Sequence, residues 1–226
     1  MIAFASMFLV LWQKGGYTKI LMRKIGISTE QEDQTKRADY WAVKSWESCL
    51  QKLDTDVDVA FFGDSITRGG DFQDYFDDVK CINLGYSGDS LTGMKNRIGM
   101  LSAVSPEKIF IMGGINGLQG RPINLSIEEY ESLLTCIQKE LPYSEIYVQS
   151  ILPVNSSLNE NSNEKIREAN VQLEQLCNEM NVTYIDLYKE YDRNGEGLPI
   201  EWTIDGIHLQ DSAYIYWYEQ ISKYVE

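Results

Sequence analysis

Residues 57–70 read Val57-Asp58-Val59-Ala60-Phe61-Phe62-Gly63, then Asp64-Ser65-Ile66-Thr67-Arg68-Gly69-Gly70. The first seven hold a single charge, in a run too short for a typical helix and too uniformly apolar for a strand with one wet face. A run of that kind is expected of a strand covered on both faces, as in the parallel sheets of α/β proteins. Glycine ends the run. The serine that follows stands where the chain turns from strand into helix, beside backbone N–H groups with no partner inside the helix.

Outward from this stretch the same alternation repeats. Apolar runs at Cys81–Tyr86, Lys108–Gly114, Glu145–Leu152 and Val182–Tyr188 read as four more strands. Between them Ser126 and Glu129 have capping-box spacing, ahead of Tyr130, Leu133, Leu134 and Ile137 at helical intervals. Asn161–Met180 places Ile166, Ala169, Leu173, Leu176 and Cys177 on one helical face, Asp211–Tyr224 reads as an aromatic-rich helix, and Asp39–Leu53 as a helix before the first strand. Strands alternating with helices imply right-handed crossovers. The predicted fold is α/β: a flavodoxin-like three-layer α/β/α sandwich with a central five-stranded parallel sheet. No repeat or linker interrupts residues 36–226, which read as one domain.

Residues 1–35 read differently. Ile2–Trp12 is apolar and is followed by Lys14, Lys19, Arg23 and Lys24. The run is about half the roughly 20 apolar residues that span a bilayer, and its charges follow it, opposite to a secretory signal. A membrane anchor remnant associating through residues 2–12 and a short core-docked helix both fit, so the compartment stays open between cytoplasmic and membrane-anchored or exported.

Composition removes several classes of function. The 226 residues carry 20 Lys and Arg against 34 Asp and Glu, a formal charge of −14. Such a surface repels phosphate backbones, so no nucleic-acid partner is expected. His208 is the only histidine, which excludes histidine-rich metal sites, and any histidine-based catalysis must use it. Cys49, Cys81, Cys136 and Cys177 have no metal or redox spacing and are expected to be free, mostly buried thiols. No metal and no cofactor is implied. Asp71, Asp74, Asp77 and Asp78 lack the glycine-centred spacing of a calcium loop and read as a solvated face.

In such a sheet the ligand site lies at the carboxyl ends of the strands. The loop after the first strand is Gly63-Asp64-Ser65, after the second Asn83-Leu84-Gly85-Tyr86-Ser87-Gly88-Asp89-Ser90, and after the third Gly113-Gly114-Ile115-Asn116-Gly117. Near the C-terminus comes Asp205-Gly206-Ile207-His208-Leu209. These four blocks, in this order over about residues 55–224, resemble the GDSL-type esterases, also called SGNH hydrolases. The resemblance implies Ser65 as nucleophile, His208 as general base and Asp205 as its partner. It further implies an oxyanion hole from Ser65, Gly88 and Asn116, with Asp64 orienting the nucleophile loop. Gly85 is a rival to Gly88. Gly117 replaces the aspartate usual after the asparagine of the third block, which puts the support of that loop in question.

The chemistry is coherent without the family. A serine hydroxyl needs an adjacent base, and histidine is the side-chain type that ordinarily titrates near neutral pH. A carboxylate fixes the imidazole tautomer, and backbone or amide N–H groups stabilise the oxyanion formed in acyl transfer. The expected activity is a serine esterase acting on a small-molecule ester, an acetylated carbohydrate first and a lysolipid or thioester second. A flavodoxin-like module cradling a phosphate on residues 65–70, and a non-catalytic carbohydrate-binding or adaptor module, use the same fold; the first leaves Asp205 and His208 without a role.

Overall fold

The phenylalanines of the opening strand set the layering. Phe61 and Phe62 point to opposite faces and are both fully buried, as period-2 alternation requires of a strand covered on both sides. A computed structural model describes residues 44–52, 57–118, 120–192 and 194–226. The apolar run 2–12, the basic segment after it and parts of the helix predicted over 39–53 lie outside the described residues; residues 44–50 are helical.

Five strands form one all-parallel sheet: β1 (Val59–Gly63), β2 (Cys81–Gly85), β3 (Lys108–Met112), β4 (Glu145–Gln149) and β5 (Thr183–Ile185), in the order β2-β1-β3-β4-β5. The helices are α1 (Ser65–Arg68), α2 (Phe72–Tyr75), α3 (Leu91–Asn96), α4 (Gly99–Val104), α5 (Ile115–Leu118), α6 (Ile123–Glu140), α7 (Asn163–Glu179), α8 (Tyr188–Tyr191) and α9 (Asp211–Val225). They cover both faces, and residues Glu47–Glu226 form one compact unit. The three-layer α/β/α sandwich predicted from the alternation is the fold observed.

One face is aromatic. Phe61 stacks on Phe72 of α2, and Phe72 meets Trp217 of α9 edge-on at 5.5 Å. Trp217 is fully buried and its indole N–H donates to Gln149 Oε1 at the end of β4, 2.6 Å away. The opposite face carries Ala60, Phe62, Ile109, Ile111 and Val148, all buried. Among the described residues no helix is long and apolar enough to cross a membrane.

Three sequence expectations are corrected. Ser126 is not a cap: α6 begins at Ile123 behind Pro122, whose extended backbone sets the helix entry, and Ser126 is buried inside the helix with no partner for its hydroxyl among the described residues. The fifth strand ends at Ile185 rather than Tyr188, because Ser150 Oγ takes the Tyr188 N–H and the chain turns into α8. The cysteines are free, but only Cys177 is fully buried; Cys81 and Cys136 are half-buried and Cys49 is exposed.

Replacing Trp217 by Phe removes the N–H that donates to Gln149 Oε1 and leaves a void between α9 and the sheet. Equilibrium urea unfolding is expected to show a loss of about 2–4 kcal/mol. A loss below about 1 kcal/mol would mean that α9 docking does not depend on this contact.

Candidate active site

Parallel register puts the ends of β1, β2 and β3 at one level: Gly63 pairs with both Gly85 and Met112. The loops leaving these three ends therefore meet. Asp64 is the N-cap of α1 and accepts the Ile66 N–H through Oδ1 at 3.0 Å, which turns the chain and places Ser65 on the first helical residue.

Ser65 and His208 are separated by 143 residues, yet their Oγ and Nε2 lie 2.9 Å apart. His208 Nδ1 is 2.7 Å from Asp205 Oδ2. An ionised carboxylate only accepts, so Nδ1 carries the proton and Nε2 is left to accept the Ser65 hydroxyl. The loop holding Asp205 and His208 is a small hairpin. Thr203 bridges Leu209, Thr203 Oγ1 donates to the His208 carbonyl and accepts the Gly206 N–H, and Asp205 Oδ1 accepts the N–H groups of Ile207 and His208. Gly206 sits at φ +90°, and a side chain there would also press on Leu158 and Asn159, so glycine is required. The site is open to solvent, with the His208 and Asp205 side chains 42% and 52% exposed.

The two acidic residues have opposite environments. At Asp205 burial raises the pKa, but the His208 N–H, the imidazole and the Ile207 N–H outweigh it and hold the carboxyl below its usual range. Asp64 is fully buried, and that burial pushes its pKa up to about 6 against the opposing Ile66 N–H. Its Oδ2 has no hydrogen-bond partner among the described residues.

The predicted oxyanion residues sit on the two neighbouring loops. Gly85 is buried, its N–H donates to Asn83 Oδ1 at 2.8 Å, and a side chain there would collide with the backbone of α1. Gly88 is exposed at φ +71° with open space around it. Asn116 donates through Nδ2 to the Asp89 carbonyl at 2.8 Å, which ties the third loop to the second. One proton of that amide remains for another acceptor. Gly117, in place of an aspartate, leaves the loop supported otherwise: its N–H donates to Gly114 O. Just beyond it, Arg121 pairs with Glu129.

Sequence reasoning missed Arg97, which is 1% exposed and pairs with Asp89 at 2.6 Å. A charged residue at the end of an amphipathic helix ordinarily reads as solvated, so no local signal marked it. Burial pushes the Cys81 and Cys177 thiols up to about 12, which leaves neither as a nucleophile at neutral pH. Among the described residues no group of three or more His, Cys, Asp or Glu is placed to hold a metal ion.

The sequence profile of the GDSL-like lipase/acylhydrolase family matches residues 61–214. No curated protein matches the chain. Several solved structures share its fold. A Streptococcus pneumonia protein provisionally named a platelet activating factor superposes with a TM-score of 0.76 at 22% identity, over 88% of this chain and 100% of that one. A GDSL-like lipase from Bacteroides thetaiotaomicron VPI-5482 gives 0.69 at 19% identity, over 82% and 96%. An acetyl xylan esterase gives 0.64 at 18% identity, over 75% and 100%.

The buried Asp64 yields a stability prediction with a definite sign. Its pKa is higher in the folded chain than the ordinary 3.8, so the folded state keeps a proton that the unfolded chain releases. The contribution is favourable at low pH and is lost as pH rises from about 4 to about 6. Asp64→Asn keeps the cap acceptor and removes the titration. Urea unfolding at pH 4 and pH 7 is expected to show the variant gaining about 2 kcal/mol on wild type between the two. A difference that does not change with pH refutes the assignment.

Proposed function

Because the chain belongs to the GDSL-like lipase/acylhydrolase family, whose profile spans residues 61–214, we propose that it is a serine esterase working through Ser65, His208 and Asp205. The observation that carries this reading is the unbroken hydrogen-bonded relay from Asp205 Oδ2 through the imidazole to Ser65 Oγ.

In this mechanism Ser65 Oγ attacks the ester carbonyl carbon while His208 Nε2 accepts the hydroxyl proton. Asp205 keeps the ring oriented and stabilises the imidazolium. The carbonyl oxygen gains negative charge and is met by the N–H groups of Ser65 and Gly88 and by the free amide proton of Asn116. His208 returns the proton to the departing alkoxide, and an acyl group stays on Ser65. Water, deprotonated by the same imidazole, cleaves the acyl-enzyme and releases the carboxylic acid. The engagement of the Gly85 N–H by Asn83 favours Gly88 as the second backbone donor.

The substrate class we assign is a short acyl ester, an O-acetyl group on a saccharide. The sequence between the strand ends holds no apolar insertion to house a long chain. The net charge of −14 disfavours a phosphate headgroup. An acetyl xylan esterase is among the proteins of the same fold.

A fluorophosphonate probe is expected to modify Ser65, and Ser65→Ala to abolish both labelling and turnover of an aryl acetate. In wild type kcat/KM should rise with pH through one ionisation. That ionisation should persist in Asp64→Asn and vanish from the residual activity of His208→Ala. Labelling elsewhere, or an ionisation that disappears with Asp64 instead, reassigns the nucleophile or the base.

Substrate choice is read separately. An acetylated oligosaccharide is expected to exceed a lysophospholipid in kcat/KM by about 10-fold or more, since the acyl and leaving groups differ by several methylenes and a charge. The reverse order removes the acetyl-ester assignment and leaves the serine mechanism in place.

A further inference from the structure

We propose that Arg97, capping the end of α3, is the positioning residue that holds the nucleophile turn and both oxyanion loops in one fixed arrangement. The proposal rests on the esterase reading above. Arg97 Nη2 donates to the Gly63 carbonyl at 2.7 Å, Nη1 to the Leu84 carbonyl at 2.6 Å, and Nε to Asp89 Oδ2 at 2.6 Å. Its guanidinium carbon lies 4.2 Å from the centroid of the Phe62 ring, which presses one face of the group. Arg97 is buried and Asp89 nearly so, with side chains 2% and 10% exposed.

Each contact lands beside a residue of the proposed chemistry. Gly63 precedes the Asp64–Ser65 turn. Leu84 opens the tight Leu84–Gly85 end of β2. Asp89 follows Gly88 and accepts the Asn116 amide on its own carbonyl. Ser65, Gly88 and Asn116 are thus each within two residues, or one hydrogen bond, of an atom that Arg97 holds. A guanidinium suits this task because its donors point in fixed directions within one plane, so three acceptors on two strand ends and a loop are held at set angles. A lysine has one nitrogen and cannot reach all three in that geometry. Burying an ion pair is also a poor way to gain stability, since an apolar side chain would fill the space beside Phe62 without desolvating two charges. What the pair supplies beyond filling is orientation, and displacements of about 1 Å at a reacting centre cost about 10²-fold in rate.

The test uses the full chain as wild type, Arg97→Lys, Arg97→Met and Asp89→Asn, with rates normalised to sites titrated by a fluorophosphonate. A boronic acid serves as transition-state mimic, because its boron-bound oxygen occupies the oxyanion position on the serine adduct. The expected result for both Arg97 variants is a kcat lower by about 10–100-fold with KM within about 3-fold, and boronate affinity falling in parallel with kcat/KM. Asp89→Asn, which keeps an acceptor but drops the charge, should lose about 3–10-fold in kcat. A purely structural role would lower the titrated fraction or the melting temperature and leave kcat per titrated site unchanged. Should Arg97→Met fail to fold, Arg97→Lys and Asp89→Asn decide the matter. Wild-type kcat per site in either, or a change confined to KM, overturns the proposal. A wild-type protein without ester turnover removes the premise and the proposal together, whereas an active wild type with fully active variants removes the proposal alone.

Discussion

The level ending of three parallel strands is the constraint on which the site depends. Gly63, Gly85 and Met112 share one register, and there is no room for a side chain at the two glycines. A Cβ at Gly63 would run into Thr67 Oγ1 and the Met112 carbonyl, and one at Gly85 into the backbone of Thr67 and Arg68. Their absence lets α1 sit directly on the strand ends. Asn83 then fastens that helix from below, donating to the carbonyls of Thr67 and Gly70 at 2.8 and 2.7 Å. Ser65 is held by backbone packing rather than by its own side chain, so its hydroxyl is free for the histidine.

Electrostatics divide the two carboxylates near the imidazole into different tasks. Asp205 lies at the surface with backbone N–H donors fixed on it, and it stays ionised beside His208. Asp64 lies under Ser65 with one oxygen capping α1 and the other unpartnered among the described residues, and burial raises its pKa to about 6. The same residue type serves as charged partner in one place and as structural cap in the other. Pairs of titratable groups pushed apart in this way are a recurring means of assigning roles. The open position of Asp205 and His208 fits a site that must admit water for the second half of the proposed reaction.

How much of this could be read from the sequence follows from where the information is local. The buried run at Val59–Gly63 and the four loop blocks were legible because a doubly covered strand and a glycine-bounded serine leave signatures within a few residues. Ser126 misled because capping-box spacing is also local, while the competing signal, Pro122 four residues earlier, set the helix start instead. The early end of β5 was not legible, since it depends on Ser150, just past the end of β4 and 38 residues away in sequence. Arg97 was the least legible of all. Its burial is produced by acceptors 13 and 34 residues away and by Asp89, and nothing within α3 announces them.

The aromatic helix α9 shows how the distant halves of the site are joined. Its tyrosines read from sequence as core packing against the sheet, and in part they are. Yet Tyr214 also donates its hydroxyl to the Ile66 carbonyl at 2.7 Å, and Tyr218 accepts the Asp71 N–H at 2.6 Å. Both acceptor and donor belong to the segment that starts at Ser65. The hairpin carrying Asp205 and His208 leads directly into the same helix, where Gln210 Nε2 donates to the Thr203 carbonyl. The helix therefore grips the Ser65 turn with one surface and the histidine hairpin with its N-terminal end. A tyrosine serves here because its ring packs in the aromatic core, Tyr218 against Phe72 and Tyr214 on Trp217, while its hydroxyl satisfies a backbone group at the edge of that core. Packing and alignment of the 2.9 Å contact between Ser65 and His208 are in this way one interaction, made by the same residues.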